Sequence, residues 1–439
     1  MFLIRCALLA LNIAYAPIRT FSRRIKGKVT LLSSQDDVPS RDIRMLAAAL
    51  SAGQRDRPSV LSCGQDRRPV PLSCISNPKV VVLAGRMRRS FAGALKFAGH
   101  LLRELYHIAS SEVVVLEGYT VSVGAVKHKP GVTILQMWHA PDAIKKFSRQ
   151  LLDTPAGQST ELADALGMHR NYDYLLCPSP AVAPAFKEAF GVTDEQLVYL
   201  GMPRIDYLSA LRQKQHSGDG SFCAEHSGDG SSCVTLTDEP RSTRAKILGK
   251  YPRLHARQGD ASSAFPRPVI VYAPTFRDGR PVELNGLLKH FDFGRFTLVV
   301  KLHPLYPQEI SAEWTNRDGL LFDKEFSTDE WLTTAAAVIT DYSGVAVEAA
   351  AAAVPVYFYV YDIDQYMAER GLNFDLRREA VAPYVFMNGT ALAGALDPAV
   401  YDLTRLRTFR ERMLSCPDMG NTERLAAFVR SFLTKPQRS

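Results

Sequence analysis

Short runs of β-branched and aliphatic residues alternate with stretches of helical period along most of the chain. The runs predict strands over 28–32, 79–83, 112–116, 132–136, 174–177, 198–200, 269–272, 297–301, 337–340 and 356–359. Helices are expected over 40–52, 88–108, 181–190 and 345–353. Two more close the chain, one over 403–414 and one from Thr422, a good N-cap followed by Glu423 in the first turn. Uninterrupted apolar runs such as Val80-Val81-Val82-Leu83 and Val113-Val114-Val115-Leu116 suit strands covered on both faces. The βαβα alternation therefore predicts an α/β protein built on parallel sheets with helices on both sides.

The alternation breaks between 214 and 266, which is rich in Ser, Gly, Asp and Arg. That stretch holds a tandem repeat, 216–223 and 226–233, and an echo of it occurs at 57–63 and 68–74. The His and Cys residues of the first pair suggest zinc, but no close Cys-x-x-Cys pair is present. A short polar duplication reads more simply as a disordered insert. The chain has 439 residues, enough for about two domains of ordinary size. The expected division is a Rossmann-like domain over 28–205 with an insert near 54–76, a linker over 206–265, a second Rossmann-like domain over 266–400, and C-terminal helices over 401–439. In such a pair the C-terminal ends of both sheets are expected to face a central cleft.

Charge and composition change the picture at one end. Net charge is +8, which suits acidic partners such as phosphates or anionic lipid. Residues 1–16 are largely apolar and are followed by Arg19, Arg23, Arg24, Lys26 and Lys28, with no acidic residue before Asp36. The apolar run alone is too short to span a bilayer. A signal peptide ending at Ala16 would place Pro17 and the basic cluster just after the cut, which argues against cleavage. An interfacial anchor over 1–27, lying on an anionic membrane at its cytoplasmic face, fits better than either, and a buried structural helix is the remaining alternative. The seven cysteines match no disulfide framework, which suits a reducing compartment.

Candidate chemistry sits where strands end. Ile339-Thr340-Asp341-Tyr342-Ser343-Gly344 leaves a strand and enters an Ala-rich helix, an arrangement that presents free N–H groups to an anion, or simply an N-cap. His303 follows Leu298–Leu302, and Arg277 follows 269–272. His303 is read as facing the crevice at the sheet's C-terminal edge, or blandly as a structural His, and Arg277 as a bidentate grip on a phosphate, or blandly as an Arg277–Asp278 surface pair. His139, in Gln136-Met137-Trp138-His139-Ala140-Pro141, is placed as a general base. Asp362-Ile363-Asp364 has the spacing of a cation-binding pair but lies late in the second domain, and no metal is expected there.

These segments, in order, resemble the CDP-glycerol glycerophosphotransferases of teichoic acid synthesis. The likeness runs through 28–50, QMWHAPDAIKKF at 136–147, MHRNYDYLLCPS at 168–179, GMPRID at 201–206, YAPTFRD at 272–278, KLHP at 301–304, ITDYSG at 339–344, RGLNFD at 370–375 and DMGNTER at 418–424. The resemblance implies a GT-B fold, an acceptor site in the first domain, a donor site in the second, and neither metal nor other cofactor. It implies His139 as the acceptor-side base, with Trp138, Lys145 and His169 on that side. It makes His303 and Arg277 ligands of the donor phosphates, Thr340, Ser343 and Gly344 the phosphate loop, and Glu348 a contact to ribose or glycerol. The expected partners are CDP-glycerol or a related CDP-polyol and a lipid-linked acceptor at the membrane, with no nucleic acid. Gly344 stands where the family usually has a second Ser, and Ala140-Pro141-Asp142-Ala143 where it often has Gly. Two other readings are a nucleotide-sugar glycosyltransferase and a non-enzymatic membrane scaffold. Many such glycosyltransferases carry two glutamates eight positions apart, and Val356 lies eight after Glu348.

Overall fold

The computed structural model describes residues 1–52, 78–85, 91–216, 238–254, 267–277, 282–303 and 312–433. The 57–74 echo, nearly all of the 216–233 repeat and Asp278 lie outside them. The chain forms two compact units. One comprises Met1–Arg204, Met413–Cys416 and Gly420–Ser439, the other Ile205–Arg412 and Pro417–Met419.

The first unit is a six-stranded parallel sheet of β1 (Lys28–Ser33), β2 (Lys79–Ala84), β3 (Val113–Leu116), β4 (Thr133–Gln136), β5 (Tyr174–Leu176) and β6 (Leu197–Val198), in the order β2-β1-β3-β4-β5-β6. β3 is buried along its whole length, as its unbroken apolar run requires, and so is β1 despite Lys28, Thr30 and Ser33. β2, whose run over 80–83 also suits cover on both faces, is instead an edge strand and mostly half-buried. From β1 the chain steps one way to β2, then returns to β3 and proceeds the other way. The reversal puts a crevice beyond the ends of β1 and β3, where open α/β sheets bind ligands.

The second unit repeats the plan with β7 (Val269–Tyr272), β8 (Thr297–Val300), β9 (Leu320–Phe322), β10 (Ala335–Thr340), β11 (Val356–Tyr359) and β12 (Val385–Phe386), all parallel, in the order β12-β11-β10-β7-β8-β9. Its reversal lies between β7 and β10. β9 and β12 were not expected. They are edge strands of three and two residues, only half-buried, and too short to carry a period.

The first helix, Phe2–Phe21, is longer than its apolar run suggests, and at 20 residues its length and composition would allow it to cross a membrane. Length therefore does not exclude a span. Tyr15, with Leu11 and Ile18 beside it, packs on Leu105, Ala109 and Val126 of the first unit, while Phe2, Leu3, Leu9, Ile13 and Phe21 stay exposed. The last helix, Asn421–Ser431, starts one residue before Thr422. Gly420 (φ 97°) is its N-cap and Thr422 is buried inside it. That helix packs on Arg41–Ser51, and Arg430 Nη2 donates to the Ala49 carbonyl in the latter's last turn at 2.6 Å. Cys6 and Cys177 are free thiols. Cys416 is disulfide-bonded, a pairing the cysteine spacing does not anticipate.

Candidate active site

In the first unit a buried glutamine sets the geometry at the end of β4. Gln136 Nε2 donates to the Gly118 carbonyl and to the Tyr172 hydroxyl, both at 3.1 Å, while its Oε1 accepts the Trp138 N–H at 2.8 Å. Trp138 takes φ 63°, a left-handed conformation that bulky residues adopt only when their surroundings enforce it. The enforcing contacts are that amide and a nest of rings, Phe147, Phe190 and His169, with centroids at 5.7, 5.0 and 5.9 Å.

The kink brings His139 to the end of β3. Its Nδ1 lies 3.3 Å from the Glu117 carbonyl oxygen, which can only accept, so the proton sits on Nδ1 and Nε2 keeps its lone pair. Gln35 Nε2 is placed 3.3 Å from the same nitrogen, and a protonated Nδ1 requires the Gln35 amide turned over so that its oxygen faces the ring. Burial, assisted by the Arg204 charge, pushes His139 down to about 4, so the ring is neutral at neutral pH. A neutral imidazole with a free Nε2 can take a proton from an attacking hydroxyl.

Glu117 anchors this corner. Its carboxylate is fully buried and accepts from the hydroxyls of Ser33, at the end of β1, and Ser40, the N-cap of Arg41–Ser51. Burial raises its carboxyl pKa and the two hydroxyls oppose that. Glu117, Gln136, Gln35 and Ser40 escaped the sequence reading. The available signal was a polar residue at the close of an apolar strand in TILQ and VVVLE.

His169 is brought to the same corner but is built in differently. It is buried and takes φ 59°. Its Nδ1 lies 3.1 Å from the Tyr172 hydroxyl, whose oxygen already accepts from Gln136, so Tyr172 donates to Nδ1. Burial, then the Arg149 charge, pushes His169 down to about 3. It is a neutral ring behind Trp138. Lys145 is half-buried, and its charge helps keep His139 neutral and works against the burial that raises Asp142.

The second unit holds the remaining candidates around the ends of β7, β8, β10 and β11. Thr340 is fully buried and its hydroxyl is spent on the Ala273 carbonyl at 2.6 Å, so it braces the strand end. Ser343 Oγ accepts the Val345 N–H at 3.4 Å, a weak cap of the seven-residue helix Val345–Ala351. Neither the Ser343 nor the Gly344 backbone N–H meets an acceptor among the described residues, and both residues are half-exposed. Glu348 is buried one turn into that helix. His303 is exposed beyond β8, its ring 4.8 Å from that of Phe276.

Arg277 departs from the expected phosphate grip. Its Nη1 donates to Asp341 Oδ2 at 2.7 Å and to the Thr275 carbonyl at 3.0 Å. Its Nε and Nη2 donate to the two oxygens of Asp362 at 2.7 and 2.9 Å. Four of its five N–H groups are thus engaged, and the rings of Tyr342, Tyr361 and Tyr366 surround it at 5.1–5.8 Å. The arrangement also accounts for Asp362 of the D-x-D pair, whose oxygens are both on Arg277. Among the described residues no group of three or more His, Cys, Asp or Glu is placed to hold a metal.

The family model described as CDP-glycerol:poly(glycerophosphate) glycerophosphotransferase matches residues 78–219 and 255–431. The teichoic acid ribitol-phosphate primase of Bacillus spizizenii is 28% identical over 369 residues, covering 81% of this chain and 84% of the relative. The teichoic acid glycerol-phosphate primase of Bacillus subtilis is 23% identical, covering 76% and 77%. Among solved structures, a histidine-to-asparagine variant of the wall teichoic acid polymerase TagF superposes with a TM-score of 0.65 at 16% identity, covering 98% of this chain and 96% of that one. At that identity the likeness speaks to the fold, and the GT-B-like class expected from the sequence is the one found. With the family match running through both units, the chain belongs to the CDP-glycerol:poly(glycerophosphate) glycerophosphotransferase family.

Proposed function

We propose that the chain transfers a polyol phosphate from a CDP-polyol to a hydroxyl of a lipid-linked acceptor, releasing CMP, in teichoic acid-like polymer synthesis. The observation that carries this is His139. Its Nδ1 is committed to a backbone carbonyl, it is neutral, and among the described residues its Nε2 meets no partner at the end of a parallel strand. In this reading Nε2 takes the proton of the acceptor hydroxyl as the oxygen attacks the β-phosphorus. The bond from the β-phosphorus to the bridging oxygen breaks, and CMP leaves with the electron pair. Charge grows on phosphoryl oxygens, so positioned N–H donors and cations lower the barrier. The Ser343 and Gly344 N–H groups and His303 are the donor-side candidates, and Glu348 is a candidate contact to ribose or polyol.

The two relatives named above differ in polyol, ribitol in one and glycerol in the other. Both CDP-polyols therefore belong in the test. The exposed apolar residues of Phe2–Phe21, followed by the exposed Arg23 and Lys26, support attachment to an anionic membrane surface on the side where nucleotide substrates are found, whereas Lys28 is buried on the Ser110 hydroxyl and takes no part. The experiment offers the chain CDP-glycerol, CDP-ribitol and UDP-sugars with a polyprenyl-linked acceptor, and identifies the nucleotide released. CMP from either CDP-polyol is expected. Nucleotide release from a UDP-sugar alone would establish the glycosyltransferase reading instead.

A further inference from the structure

We propose that the hydroxyl of Thr275 contacts the donor's phosphates, and that the Asp341–Arg277–Asp362 cluster is the device that holds it there. This rests on the donor site lying at the β7–β10 reversal, as in the proposed function.

Thr275 is 6% exposed, yet its Oγ1 has no hydrogen-bond partner among the described residues. Buried hydroxyls are nearly always satisfied, because leaving one bare forfeits its bond to water. The Tyr272 and Tyr366 hydroxyls nearby also lack a partner, but both backbone groups of Thr275 are engaged. The Thr275 N–H donates to Asp341 Oδ1 at 2.8 Å and its carbonyl accepts from Arg277 Nη1 at 3.0 Å. Asp341 Oδ1 also accepts the Tyr342 N–H at 2.6 Å. One carboxylate oxygen thus ties Thr275, beyond β7, to the turn that carries the Ser343 and Gly344 N–H groups beyond β10. Arg277 holds the other oxygen of Asp341, and Asp362, beyond β11, holds Arg277 while accepting from the Tyr342 hydroxyl at 3.1 Å.

Three strand ends are fixed relative to one another by this cluster, and the donors it holds without a partner among the described residues include the Thr275 hydroxyl and the Ser343 and Gly344 N–H groups. All three are neutral donors. A cluster of one guanidinium and two carboxylates carries a formal charge of −1, so it does not itself attract a diphosphate. Its charges are consumed internally, and the work of meeting phosphate oxygens passes to the donors it orients. Arg277 is accordingly a positioning residue, while Thr275 touches substrate. The sequence offered Arg277 as the obvious phosphate ligand, and Thr275, two residues before it, carried no charge to draw notice.

The test is calorimetric binding of CDP-glycerol and CDP-ribitol to the full chain, beside thermal melting. Thr275→Val removes the hydroxyl at nearly constant shape. Losing an unsatisfied buried hydroxyl should leave Tm unchanged or raise it, while affinity for the favoured CDP-polyol falls at least 10-fold. Thr275→Ser should restore binding to within about 3-fold of wild type. Asp362→Asn separates the two roles by sign. If Arg277 bound phosphate directly, removing a neighbouring negative charge would tighten the donor. If the cluster positions Thr275 and the turn, binding weakens. Should Asp362→Asn melt early, Tyr342→Phe, which deletes a single hydrogen bond to Asp362, is expected to weaken binding several-fold. Wild-type affinity in Thr275→Val overturns the proposal and leaves the proposed function standing. A wild-type chain that binds neither CDP-polyol overturns both.

Discussion

His169 should make the first unit acid-labile, and the size of the effect follows from its surroundings. The ring is 5% exposed, packed against Trp138 and Phe190, and accepts from Tyr172 through Nδ1. Its folded pKa is pushed down to about 3, against about 6.5 in an unfolded chain. The unfolded state therefore binds a proton that the folded state refuses. Stability from this group is complete above about pH 6.5 and is lost as pH falls through that value towards the folded pKa. At about pH 5 the deficit is roughly 2 kcal/mol. His169→Asn tests this, because Asn tolerates the left-handed backbone (φ 59° here) and offers a carbonyl oxygen near the position of Nδ1, but cannot titrate. Urea unfolding of both proteins at about pH 8 and about pH 5 gives a double difference in which the lost ring packing cancels. The wild type should lose about 2 kcal/mol more than the variant between the two conditions. Equal losses would show that His169 is not held neutral by its burial, and the argument from its hydrogen bond to Tyr172 would fail with it.

Activity should follow a different group. Because burial pushes His139 down to about 4, kcat/KM for the acceptor should stay flat from neutral pH to about pH 5, and a break near 6.5 would mean the ring titrates as if exposed. Asp42 is fully buried and holds Arg204 through its Nε at 2.6 Å and its backbone N–H at 2.7 Å. Asp42→Ala should therefore destabilise the first unit by about 3–5 kcal/mol, seen as an earlier urea transition, whereas a loss below about 1 kcal/mol would make the pair no stronger than a surface one.

Both sheets were legible because their central strands are buried on both faces and need unbroken apolar runs. Val113–Leu116 and Val269–Tyr272 declare themselves this way. β9 and β12 did not, since two or three half-buried residues at a sheet edge impose no pattern. The N-terminal helix outran its apolar stretch because Pro17 is accommodated within it rather than ending it. The site was legible as a set of strand ends. His139 and His303 stood out as candidates because imidazoles after apolar runs are conspicuous. The groups that orient the site were hidden. Glu117 is joined to Ser33 and Ser40 across the sheet, Gln136 turns the chain behind Trp138, and Asp362 reaches Arg277 from 85 positions away. Such pairings exist only once the strand order is known. The fate of Arg277 has the same origin, since nothing local distinguishes a guanidinium facing a ligand from one clamped by two carboxylates.

The central claim is that His139, neutral and oriented by the Glu117 carbonyl, removes the acceptor's proton. Single-turnover CMP release with a lipid-linked acceptor, from whichever CDP-polyol the wild type uses, tests it directly when wild type and His139→Asn are compared at matched Tm. A fall of about 100-fold or more in the rate, with CDP-polyol affinity unchanged, is the predicted result. A variant that releases CMP within a few-fold of wild type would contradict it.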